Sequence, residues 1–295
     1  GFLTQQIIIM LRIGFVLAIA ILSFSGPLFA QKSWRDITSI EELCASYPGT
    51  VTKIFDQLNL QYEGLEKVSS AYGRGQLPGA CKYLLEYYKA SDNGQHLRRE
   101  QPARTDSSLA RADTILKNVF IVQNVRGQVH WGDDGHRDWH YKGPNNDREW
   151  AWLSNRHSQI NTVLTAYFQT GNPKYVLYID EFLRDFIIKS MPYPAVKSSN
   201  SVWRGLEVSF RAKVWSRIFY SLINSEYLSP ATRLLMLSSL PDHAHYNRNF
   251  HGGNNWLTME ISALATVATN FPEYRDSGEW LDYAIETMIA SMEDQ

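Results

Sequence analysis

Three clusters of polar and aromatic side chains in this sequence have types and spacings that could do chemistry. The first runs from Val129 to Trp152, VHWGDDGHRDWHYKGPNNDREWAW, and holds four tryptophans, three histidines, four aspartates and two arginines. Indole faces stack on the apolar faces of sugar rings, while Arg and His bind carboxylate or sulfate through charge-assisted hydrogen bonds. Trp139 and His140 lie within it, and Arg156 and His157 follow it. A loop this rich exceeds what packing needs; a surface loop with aromatic anchors is an equal reading of the same pattern. The second cluster is Trp203, Arg204, Glu207 and Arg211, at i, i+1, i+4 and i+8 of a helix start. For Glu207 and Arg211 alone, a solvated or structural ion-pair ladder worth roughly a few tenths of a kcal/mol per pair suffices.

The third cluster, PDHAHYNRNFHGGNNWLTME over residues 241–260, presents His243, His245, Arg248 and His251, then Gly252, Gly253, Asn254 and Asn255 before a helix starting near Trp256. Paired glycines let a backbone approach a ligand closely, and a helix N-terminus offers free N–H groups to anions. One asparagine serves as the helix cap and the second is left over. The histidines make a weak zinc set, because His243 and His245 at i, i+2 do not share a helix face and no carboxylate or cysteine stands at ligand spacing. No metal and no cofactor are expected. Nucleophile elbows and phosphate-binding glycine loops are absent from the sequence, which removes support for hydrolase triads and nucleotide enzymes.

The elements that position these clusters are helical. Ile160, Val163, Leu164 and Tyr167 form one face of a helix within 152–170, stopped by Gly171, Asn172 and Pro173. Val176, Ile179, Phe182, Leu183 and Phe186 stripe a second helix over about 174–189. A third spans 203–225, with Leu206, Phe210, Val214 and Ile218 stepping by fours, and Ser229 and Pro230 open the next. Helices over about 255–268 and 274–292 follow, and only 119–130 reads as extended. Leu281, Ile285, Met288 and Ile289 are still in helical phase near Gln295, so the chain reads as truncated. Successive helix pairs with polar loops on one side predict an all-α fold, an α/α toroid, over a repeat array.

Residues 1–30 read as an upstream extension, 1–9, and a secretory signal peptide: Met10, Leu11 and Arg12, an apolar run from Ile13 to Phe24, then Gly26, Pro27 and Ala30. The run is shorter than the roughly 20 residues of a bilayer span, so a periplasmic or secreted protein without stable membrane insertion is expected. The toroid domain takes 31–295. With 29 Lys and Arg against 30 Asp and Glu, the net charge of −1 offers no general attraction for nucleic acid, and a polyanion would need a locally basic cleft. Cys44 and Cys81 fit one disulfide or two buried thiols equally.

At HGGNNWLTMEISAL, residues 251–264, the sequence resembles the heparinase II/III-like polysaccharide lyases, and most closely the heparin-sulfate lyases of the heparinase III kind. The likeness extends back through WRGLEVSFRAKVW and NDREWAWLSNRHSQINTVLTAYFQTGNPKY. It implies an incomplete α/α toroid whose family partner, a C-terminal antiparallel β-sandwich, is absent from this chain. It also implies β-elimination at a uronic acid of an acidic polysaccharide, heparan sulfate first and alginate or another polyuronate as alternatives. Asn255 matches the family's carboxylate-neutralising asparagine, with Asn254 as the cap. The family's tyrosine and histidine find no match before Gln295, Tyr283 reading as a core residue, so weak binding and poor turnover are expected. Asn254, His251, Trp203, Arg204, Glu207, Arg156, His157, Trp139 and His140 are the expected substrate contacts. A non-catalytic glycan-binding module, and a glycoside hydrolase using Glu207 and Glu260, are the competing readings.

Overall fold

The computed structural model describes residues 33–98 and 107–293; the expected leader at 1–30 lies outside them. Helix α1 (Ile40–Ser46) starts from a reciprocal cap, in which the Ser39 hydroxyl accepts from the Glu42 N–H and the Glu42 carboxylate accepts from the Ser39 N–H. Helices α2 (Pro48–Gln57), α3 (Glu66–Gly73), α4 (Leu77–Ala90) and α5 (Ser107–Ile115) precede a hairpin of β1 (Val119–Val122) and β2 (Val125–Gln128). Gln123 and Asn124 turn that hairpin with φ of 48° and 64°, the handedness a two-residue turn needs to match strand twist. It is the only sheet among the described residues.

The remaining chain is helical: α6 (Arg148–Ser154), α7 (Gln159–Thr170), α8 (Lys174–Ser190), α9 (Gly205–Ser221), α10 (Pro230–Phe250), α11 (Asn254–Asn270) and α12 (Ser277–Glu293). Neighbours in sequence pack on one another, α7 on α8, α9 on α10, α11 on α12, and α10 also meets α2, α8 and α11. The fold is all-α, the helix-pair train of an incomplete α/α toroid. No helix among the described residues is long and apolar enough to cross a membrane.

The expected stripe of α8 is fully buried, from Val176 through Phe186. Two expectations are corrected. The helix expected over 152–170 is two, because His157 takes φ of 60° between α6 and α7. And the third cluster does not begin as a loop: α10 runs straight through Pro241 to Phe250. Proline cannot donate to the carbonyl of Leu237 one turn back, and the Tyr274 hydroxyl donates to that carbonyl instead, at 2.8 Å. His243 is thereby placed inside the core.

Helix α9 also faces differently from its apolar steps. Leu206 and Phe210 are only partly buried, whereas Glu207, Arg211 and Trp215 are fully enclosed. Cys44 and Cys81 are free thiols in mutual contact, and burial pushes both above the ordinary thiol range.

Between α11 and α12, Glu273 is buried with its carboxylate accepting from the Asn93 side-chain amide at 3.1 Å. Burial pushes its pKa from 4.5 up to about 7. The protonated carboxyl is the form the fold prefers, so this group's contribution is fully present below about pH 4.5 and is lost as pH rises through about 7. Replacing Glu273 by Gln is expected to raise stability by on the order of 2–3 kcal/mol at pH 8 and to change it little at pH 4. Urea unfolding at the two pH values checks this; an equal effect at both would remove the titration from the explanation.

Candidate functional site

The turn between α10 and α11 carries the two asparagines on the surface: Gly253, Asn254, Asn255 and Trp256 are all exposed. Its support comes from below. The Gly252 N–H donates to the Glu260 carboxylate, in the second turn of α11, and Glu260 is buried. The carboxylate packs against Gly205 at the start of α9, where an added Cβ would come within 1.7 Å of Glu260 Oε1 and displace it. Burial raises the Glu260 pKa, while the Gly252 N–H and the charges of Lys197 and His251 pull it down.

The expected capping role of Asn254 is corrected. The cap position is Gly253, without a side-chain cap bond, and Asn254 opens the helix in the left-handed region with φ of 56°. A short polar side chain tolerates that region better than most. Neither glycine takes a positive φ; Gly253 instead borders open space.

Beside this turn stands a layered set of arginines and tryptophans. The Arg204 guanidinium sits 3.8 Å from the Trp152 ring centroid and 5.1 Å from that of Trp256. Its Nε and one Nη donate to the two oxygens of Glu207, and Arg156 donates to the same carboxylate at 3.1 Å. Arg156 also covers Phe210 at 4.5 Å. Glu207, expected as a substrate contact, is enclosed, and its carboxylate is taken up by the two arginines. Arg211 is no part of a ladder with it, donating to the carbonyls of Asn155 and Val202 and to His243 Nε2.

The aromatic loop splits. Trp139 and Trp150 are core residues, buried to 6% and 2% exposure, which corrects the expectation that packing did not need the loop. Trp131 carries the guanidiniums of Arg35 and Arg137 at 4.3 and 4.4 Å. The loop still walls a cleft of 530 Å³ through residues that include His136 and His140, together with Lys189, Asn200 and Trp203 from outside it. Trp203 is nearly buried and donates its indole N–H to Ser190, and His140 is exposed at the rim. His157, expected as a substrate contact on a loop facing the cleft, does not reach it: the ring is fully buried edge-on between Phe182 and Phe186. Its Nδ1 accepts from the Trp215 indole, and burial first, then Arg211, holds its pKa well below the usual histidine value. A neutral, enclosed imidazole binds no sulfate.

One residue that sequence reasoning set aside belongs here. Tyr283 of α12 is half-buried, and its hydroxyl lies 2.6 Å from His251 Nε2. No helical stripe could have signalled that contact, because the partner comes from the end of another helix. Among the described residues, no group of three His, Cys, Asp or Glu side chains is arranged to hold a metal ion.

Residues 54–295 match the family described as Heparinase II/III N-terminus. The chain is similar to a heparin-sulfate lyase of Bacteroides stercoris, 27% identical over 80% of this chain and 38% of the relative. It is equally similar to one of Pedobacter heparinus, 27% identical over 82% of this chain and 38% of that protein. Among solved structures, a heparinase III superposes with a TM-score of 0.73 at 25% identity, covering 82% of this chain and 38% of the other. A heparan sulfate lyase of Pedobacter heparinus gives 0.69 at 28%, with 82% and 39% covered. The chain thus spans little more than a third of the length of the proteins it matches.

Proposed function

Because this chain belongs to the heparinase II/III family through its N-terminal region, we propose that it is the helical part of an exported β-eliminating lyase for uronic-acid-containing glycosaminoglycan, with heparan sulfate as substrate. The observation that carries the reading is the exposed Asn254–Asn255 turn, seated on buried Glu260 and flanked by Arg204 and Trp256. Removing the C5 proton of a uronate leaves charge on its carboxylate, and a neutral amide donor stabilises that charge without offering a competing acid. Asn255 supplies the amide. Arg204, already tied to Glu207, stands beside the turn at Trp256, and the 530 Å³ cleft lined by Trp203, His140 and Lys189 has room for sugar units of the polymer.

Hydrolysis is the weaker reading, because Glu207 and Glu260 are both enclosed and already engaged, leaving neither to face a glycosidic oxygen. Incubation of the completed full-length protein with heparan sulfate, with alginate in parallel, should produce the ultraviolet absorbance of an unsaturated uronate on heparan sulfate alone. Absorbance on alginate alone would reassign the substrate. Tight binding of heparan sulfate with no absorbance change would favour a non-catalytic glycan-binding module.

A further inference from the structure

We propose that Tyr283 is a positioning residue for the asparagine turn, acting through His251; the functional side of this inference rests on the lyase reading above. His251 Nδ1 lies 2.9 Å from the Gly252 carbonyl, which can only accept, so Nδ1 carries the ring proton. In the neutral ring Nε2 is then an acceptor, and the Tyr283 hydroxyl, 2.6 Å away, donates to it. Gly252 is gripped on both of its backbone polar groups. Its N–H is held by Glu260 of α11, and its carbonyl by an imidazole whose far nitrogen is fixed from α12.

The phenol is itself held in place. Arg248 of α10 lies 3.6 Å from the Tyr283 ring centroid and donates through Nε to Glu279 at 2.7 Å. Asn254 and Asn255 leave the gripped glycine with only Gly253 between. A side-chain amide meant to meet developing charge has to be held within about 0.5 Å of its working position by the shell behind it. Without the Tyr283 hydroxyl, Nε2 has lost its donor and the ring is free to exchange tautomers, which releases the Gly252 carbonyl. Helix α12 therefore reaches the reaction centre without touching substrate.

The test is a double-mutant cycle on heparan sulfate turnover by the full-length protein with Tyr283→Phe and Asn255→Ala, which separates positioning from general loosening. Tyr283→Phe keeps the ring packing and is expected to lower kcat about tenfold with KM unchanged, and to cost nothing further once Asn255 is alanine. Additive losses would overturn the proposal. His251→Gln serves as the second variant: Tyr283→Phe added to it is expected to change nothing. A measurement independent of the lyase reading is ¹⁵N NMR of the histidine ring at pH 8, where wild-type His251 should hold the proton on Nδ1 and Tyr283→Phe should mix the two tautomers. A wild-type ring protonated on Nε2, or one unchanged in the variant, would overturn it. If the wild type leaves heparan sulfate uncut, the lyase reading falls and the ring spectra decide the clamp by themselves.

Discussion

Replacing Asn255 by alanine is expected to lower turnover of heparan sulfate by about 10²–10³-fold, the usual cost of deleting one preorganised donor to a developing oxyanion. Stability should barely move, because the side chain is exposed and caps nothing. Its neighbour should behave in the opposite way. Asn254 holds φ of 56°, so Asn254→Ala removes the short polar side chain that eases left-handed backbone, at a cost of up to about 1 kcal/mol, and Asn254→Gly relieves the strain. The pair of substitutions therefore sorts two adjacent asparagines by kind of defect: one catalytic, one conformational. Initial rates from unsaturated-uronate absorbance, with thermal unfolding alongside, read both. An Asn255→Ala rate within threefold of wild type would remove that side chain from the mechanism.

How much of this could be read from the sequence depends on where each residue's partner lies. The stripe of α8 was legible because burial there follows local period alone, and Gly171, in left-handed backbone after α7, marked a stop that only its own neighbours determine. The asparagine turn was legible as a motif. Helix α10 was not, since Pro241 normally ends a helix and the hydroxyl that substitutes for its missing N–H at the Leu237 carbonyl belongs to Tyr274, 37 residues beyond Leu237. Tryptophans 139 and 150 sit among charged residues in the chain, yet they meet Phe182, Phe186 and Tyr141 in space. The same blindness hid Tyr283 beside His251 and made His157 look available. Polar residues assigned by neighbourhood in the chain fail wherever long-range packing decides which face is inside, and α9, with Glu207 and Arg211 turned inward, is the plainest instance.

Arg211→Met is expected to cost about 3–5 kcal/mol of folding stability, more than any other single substitution considered for this molecule. The side chain is fully buried, and burial pulls its pKa from 12.5 down to about 9, with Glu207 opposing that shift. Its donors go to three separate places: the Asn155 carbonyl at the end of α6, the Val202 carbonyl in the connection into α9, and His243 Nε2 inside α10. His243 can accept there because its Nδ1 donates to the Ser239 carbonyl. Burial, with Arg211 as the next cause, holds its pKa well below the histidine norm, so the ring stays neutral. Methionine matches the stem but leaves two buried carbonyls and an imidazole nitrogen without donors, each a desolvated group that water cannot reach. Val202 is followed directly by Trp203 of the cleft wall and by Arg204, stacked on Trp152, so both hang from the same anchor; the variant should lose heparan sulfate affinity at temperatures where it is still folded. Guanidinium unfolding with a parallel binding titration measures both. A stability loss under about 1 kcal/mol would mean that apolar packing repays the broken bonds, as it does in some buried ion networks, and that the cleft is held by its helices rather than by this one guanidinium.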